Sequence, residues 1–217
     1  MEYLDLRCCA AGTAVWLRSS FWPHLAAAGA VLLLTPVLFS VRSLSAQEAA
    51  FPLELAAALC GVILETPIFA AEREEGVRET VLAKYADYGV MCALRCLCAL
   101  AATLLLIALF VLFLRTQGSD VGMRELTGTL ASAVFLGGLG LLTAAGLESG
   151  AAAYMVPVLY YAFNYSAGRE RLGDFYLFSM MSGGGEGKIV LLSSGLLLAA
   201  AGLTVNRIRV KKGAVRR

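Results

Sequence analysis

The sequence predicts an all-α membrane protein: six transmembrane helices, preceded by a helix lying along the membrane interface, with both ends cytoplasmic (N-in/C-in). Three observations carry this expectation. Of 217 residues, 59% are hydrophobic and 16% charged, against about a quarter charged in soluble domains; the mean hydropathy is +0.74. The apolar residues come in blocks rather than stripes, and a bilayer core takes about 20 apolar residues per helix. Basic residues gather in the tail, where Arg207, Arg209, Lys211, Lys212, Arg216 and Arg217 stand close together; such clusters mark the cytoplasmic side. The net charge of +2 and the lack of a long basic run argue against nucleic acid as a partner.

Residues 1–20 hold Arg7, Trp16 and Arg18 among moderately apolar neighbours, which suits an elbow-like interfacial helix. Glu2 and Asp5 in the first turn do not fit a cleavable signal peptide. The transmembrane domain covers 21–206, with spans at 21–41, 51–70, 89–114, 126–147, 150–164 and 189–205. The fifth is short and contains Pro157. With the basic tail 207–217 inside, the connection 71–88 is also cytoplasmic, and 42–50, 115–125 and 165–188 are outside. The glycines and alanines between Gly137 and Gly146 allow close helix approach, for which packing within one chain suffices.

Several residues invite chemistry. Cys8, Cys9, Cys60, Cys92, Cys96 and Cys98 fall in apolar or membrane-proximal stretches, as small buried hydrophobes do, and no metal site is expected. Ser182–Val190 ("SGGGEGKIV") imitates a phosphate-binding loop, but Ser182 stands where its first glycine belongs and Ile189 follows Lys188; that motif requires Ser or Thr there. The chain thus has no nucleotide-binding motif of its own. His24, the single histidine, reads as an interfacial side chain, since no Ser or Cys arrangement accompanies it. Glu54 and Glu65 lie in or near the second span and Arg95 early in the third. Ionisable groups inside a membrane are functional candidates. Glu65 and Arg95 share a depth on antiparallel neighbours, so an ion pair between them, or Arg95 extending to the inner surface, is expected. The outer segment 165–188 carries Phe175, Tyr176, Leu177, Phe178, Met180 and Met181; helices lying on the outer membrane face, or a lid over a central pathway, both fit.

The stretch "AEREEGVRETVLAKY" (Ala71–Tyr85) interrupts this apolar chain with seven charged residues. Glu74 and Arg78 stand at i, i+4 in the favourable order. Val77, Val81, Leu82 and Tyr85 form a partly apolar face. A short amphipathic helix under the membrane fits both features.

With the preceding Glu65–Ala70, this stretch resembles the exit of the second span in ABC-2 type transporter permeases. Glu72 and Glu75 match the family's acidic start, Gly76 its glycine, Glu79 its glutamate, and Val81 and Leu82 its apolar pair; Val77 stands where Thr is usual and Tyr85 where Pro is usual. The order of interfacial helix, six spans and half-hydrophobic outer segment extends the resemblance over nearly the whole chain. It implies a membrane subunit of a bacterial ABC exporter, resident in the plasma membrane and not itself an enzyme. Two separate ABC ATPase subunits would hydrolyse ATP with Mg, and this chain would bind no cofactor. A second permease half, here a homodimer partner, would complete the substrate pathway. The residues implied to dock the ATPase are Glu72, Arg73, Glu75, Gly76, Arg78 and Glu79. The alternatives are an accessory or scaffold membrane protein, an ion-coupled carrier, or an intramembrane enzyme using Glu65, Arg95 or His24.

Overall fold

Prolines and one capping pair set the local geometry of the helices. A computed structural model describes residues 2–70, 76, 88–147, 149–185 and 187–215, the side chains of 2–8 and 211–215 excepted. Helix α1 (Glu2–Trp16) runs into α2 (Trp22–Leu38) through a π-helical turn at Leu17–Phe21. Pro23 stands in the first turn of α2, and a missing N–H there opens the hydrogen-bond ladder without ending the helix. The boundary expected at residue 20 is therefore this π-turn within one continuous helix, and the apolar stretch it offers starts at Cys9, ahead of Phe21.

Ser45 begins the next rod with a capping box. Its N–H donates to Glu48 Oε2 at 2.9 Å, and the Glu48 N–H donates to Ser45 Oγ at 3.4 Å, which satisfies two end groups reciprocally. Helix α3 (Ala46–Pro52), a π-turn (Leu53–Ala57), α4 (Leu59–Glu65) and a 3-10 turn (Thr66–Phe69) follow one another. Pro52 and Pro67 adjoin the two irregular turns, where each removes a donor. Helices α5 (Tyr88–Thr116), α6 (Met123–Gly146), α7 (Gly150–Ala167), the short α8 (Arg169–Leu172) and α9 (Lys188–Val215) complete the described elements. No strand occurs among the described residues.

Among those residues, five helical stretches are long and apolar enough to cross a membrane: Cys9–Leu38, Ala46–Phe69, Tyr88–Thr116, Met123–Gly146 and Lys188–Val210. The expected fifth span is not one of them. It is the 18-residue α7, and Tyr154, Tyr160, Tyr161, Asn164, Tyr165 and Pro157 dilute its apolar character. It still runs back along α6: Thr143 Oγ1 donates to Ala153 O at 3.1 Å near its start, and Tyr161 OH donates to Leu55 O at 2.8 Å near its end.

The helices form an inner pair and an outer ring. In their most apolar stretches, Ala46–Phe69 and Met123–Gly146 are each 78% buried, whereas Cys9–Leu38 and Lys188–Val210 are each 22% buried. The inner pair touches backbone to backbone, and a Cβ on Gly61 would overlap the Ala133 carbonyl. Helix α9 follows α6 just as closely: a Cβ on Gly195 would sit 2.7 Å from Phe135 Cα. The expected tight packing through small residues is thus realised within the chain. The basic tail expected at 207–217 continues α9 as far as Val215. Arg209 Nη1 donates to Ala145 O at 2.8 Å and Gly146 O at 3.0 Å, neutralising the free carbonyls that end α6.

Candidate functional site

At the other end of the bundle the chain folds into itself. Gly168, with φ 74°, turns it out of α7. After α8, residues 177–180 enter between the helices, with Leu177 and Phe178 each 1% exposed. Phe178 meets the rings of Tyr161, Tyr165 and Tyr176 at 5.2, 5.6 and 5.8 Å, all near edge-to-face, the orientation that aromatic quadrupoles favour.

A buried segment without a strand or helix ladder must find partners for its backbone elsewhere. Asn164 Oδ1 accepts from Leu177 N–H at 2.8 Å, and its Nδ2 donates to Phe175 O at 3.1 Å. Glu54 accepts from Met180 N–H on Oε1 and from Met181 N–H on Oε2, each at 3.1 Å. Gln47 Nε2 donates to Met181 O at 2.9 Å. Lys188 Nζ, from the first residue of α9, donates to Leu177 O.

Lys188 and Glu54 close this centre. Nζ lies 2.6 Å from Glu54 Oε1, with the two side chains 8% and 0% exposed. Nζ also donates to Ser132 Oγ at 2.7 Å. An ammonium has three N–H donors and no acceptor, so Glu54, Ser132 and Leu177 O use all three. This completeness lets a buried pair repay its desolvation. Ser132 is fully buried and itself donates to Leu177 O at 3.2 Å. The arrangement is a latch. One ion pair ties the second apolar rod, α6, α9 and the inserted segment together. Beside it, partial burial raises the Tyr176 phenol pKa above its ordinary value, and the neighbouring Glu54 and Tyr165 add to the effect.

The ion pair expected from the sequence is not formed. Glu65 is fully buried, and neither carboxyl oxygen has a hydrogen-bond partner; its carboxyl lies where a Cβ on Gly137 would go. Arg95 points instead toward the N-terminal helix. Its guanidinium stands 5.4 Å from the Trp16 ring centroid, within cation–π range, and Nη2 lies 3.7 Å from Met91 Sδ. Of the expected docking residues, Gly76 is helical and exposed, with open space about it; Glu72, Arg73, Glu75, Arg78 and Glu79 lie outside the described residues. His24 is half-buried. Cys9, Cys60, Cys92 and Cys96 are buried thiols, and no group of three or more His, Cys, Asp or Glu residues placed to hold a metal occurs among the described residues. Ser182–Lys188 contributes its lysine to the latch, and Gly184 O accepts from Arg124 Nη2 at 3.2 Å. The sequence contained a sign of this pair: two charges, Glu54 and Lys188, set in or against apolar runs.

Comparison with protein-family models, curated proteins and solved structures gives no match to this chain.

Proposed function

We propose that the chain is the permease subunit of an ABC exporter of the ABC-2 type, working in the bacterial plasma membrane with two separate ATPase subunits and a second permease half. In this reading α7 is the fifth of six crossings and both termini are cytoplasmic. The observation that carries the proposal is the inserted segment between α7 and α9. It closes one end of a helical bundle with buried aromatic and methionine side chains, held by a latch rather than by continuous secondary structure. A transporter needs such a closure: sealed at rest, and releasable by a rigid-body shift of the helices that hold it. Tyr88, where the described chain resumes, stands at the opposite end beside Asn206, and the resemblance of Glu72–Leu82 to the family's coupling stretch makes that stretch the socket for the ATPase in this reading. The charged face supplies contacts specific enough to transmit a push.

The test is co-purification. Affinity-tagged chain from its native membrane is expected to bring a stoichiometric ATPase with it, and a Glu75→Arg/Arg78→Glu variant to lose that partner while keeping its own fold. A native extract that yields no ATPase partner overturns the proposal.

Glu65 favours a second reading, an ion-coupled carrier, because an unpartnered buried carboxyl is the usual mark of an ion pathway. Reconstituted chain that dissipates a proton or sodium gradient, with loss in Glu65→Gln, would select the carrier over the permease.

A further inference from the structure

Beside the latch, on the surface of the same bundle end, is an open cavity of about 590 Å³ lined by Phe39, Ser40, Ser45, Gln47, Glu48, Phe51, Pro52 and Met181. Its wall has two chemical halves. Phe39 and Phe51 meet edge to face with ring centroids 5.2 Å apart, and Pro52 and Met181 extend that apolar side. The polar half is largely committed. Gln47 Nε2 is bonded to Met181 O, and both the N–H and the hydroxyl of Ser45 donate to a single oxygen, Glu48 Oε2, at 2.9 and 2.7 Å. Glu48 Oε1 therefore has no hydrogen-bond partner among the described residues, and no Lys or Arg lines the cavity.

A lone carboxylate beside two aromatic rings is the combination that stabilises an organic cation. The carboxylate supplies charge, and the electron-rich faces of the rings attract the substituents. An inorganic cation would gain nothing from the phenyl half, and an anion would be repelled. The end of α2 adds a further property: Val37 and Leu38, the two residues before Phe39 in the chain, are 79% and 64% exposed. A volume of this size is typical of small-molecule sites.

We propose that this cavity binds the ammonium group of a cationic amphiphile, with Glu48 as its counter-ion, Phe39 and Phe51 around its substituents, and its tail along Val37 and Leu38. The ligand is net cationic rather than a zwitterionic lipid, because a phosphate attached close to the ammonium would bring a like charge beside Glu48 with no basic side chain to receive it. Met181 is both cavity wall and part of the latched segment, so occupancy and closure share a residue. The site stands whether the chain is a permease or a carrier.

The experiment uses full-length chain in a neutral maltoside detergent, with hexyltrimethylammonium as the probe and calorimetry as the readout. Saturable binding is expected, weakened at least about tenfold in Glu48→Gln by loss of the charge and also weakened in Phe51→Ala. Glutamine at this position still accepts the Ser45 N–H, so the cap and the fold survive. Unaltered affinity in Glu48→Gln, equal binding of uncharged heptanol, or equal competition by a choline phospholipid would each overturn the proposal.

Discussion

Lys188 Nζ lies 2.6 Å from Glu54 Oε1, in a centre that leaves both side chains almost without solvent. The pair joins the start of the last helix to the middle of the second apolar rod, and the backbone of Met180 and Met181 hangs from the same carboxylate. Breaking either partner therefore strands a charge, and loss of Glu54 also frees the two amides. Lys188→Met or Glu54→Leu alone is expected to cost about 3–5 kcal/mol, while the double variant recovers much of that loss by removing both charges. Thermal unfolding of the detergent-solubilised chain measures it; a double variant as unstable as the sum of the singles would show that the two do not act as a unit.

Asn164 does for the entrance of the segment what Glu54 does for its middle. Its amide bonds both Leu177 N–H and Phe175 O, and the residue is fully buried. Asn164→Leu leaves the Leu177 N–H unsatisfied, at about 1–3 kcal/mol before relaxation, while Phe175 O keeps its bond from Tyr160 OH at 2.9 Å. Local opening, more than global unfolding, should register this loss. Faster hydrogen exchange at Leu177, Met180 and Met181, with α6 amides unchanged, is the expected result; uniform acceleration across the chain would argue against a locally held segment.

These two clusters mark the limit of what the sequence made legible. The places of five long apolar helices followed from block length, because each block must satisfy its own backbone hydrogen bonds in a bilayer, whereas the starts of the first two lie earlier than expected and the expected fifth span is not long and apolar enough to be one of them. The start of the second rod was readable too, since Ser45 and Glu48 have capping-box spacing, though the apolar run by itself set the boundary at Phe51. The partner of Glu54 was not legible. Lys188 reaches it only because residues 177–180 fold inward, and nothing in a run of aromatics and methionines distinguishes an inserted segment from one lying on a membrane face. Depth along antiparallel spans likewise brought Glu65 and Arg95 level but said nothing about rotation: Arg95 turns to Trp16, and Glu65 to Gly137.

That rotation has a consequence for Glu65. Its carboxyl forms no hydrogen bond, so neither Glu65→Gln nor Glu65→Met removes a favourable polar contact, and Glu65→Met also relieves the burial of an unpaired polar group. Thermal stability is expected to stay level or rise in both variants. A fall of the size expected for Glu54→Leu would mean that Glu65 has a partner in the working protein.

The closest helix contacts give a paired glycine test. Gly195 has the backbone of Phe135 and Val134 within 2.8 Å of any added Cβ, so Gly195→Ala must push α9 away from α6 along a long shared face. Such overpacking costs about 1–3 kcal/mol, against which the gain in helix propensity is smaller. Gly29, in α2, has nothing within 4 Å of an added Cβ. Gly29→Ala should therefore show the propensity gain alone, about 0.5–1 kcal/mol in aqueous helices and less where lipid already favours helix. Opposite signs in the melting temperatures of the two variants are expected. The same sign for both would mean that α9 and α6 do not approach at Gly195, and the four-way tie at Lys188, which depends on where α9 begins against α6, would need another geometry.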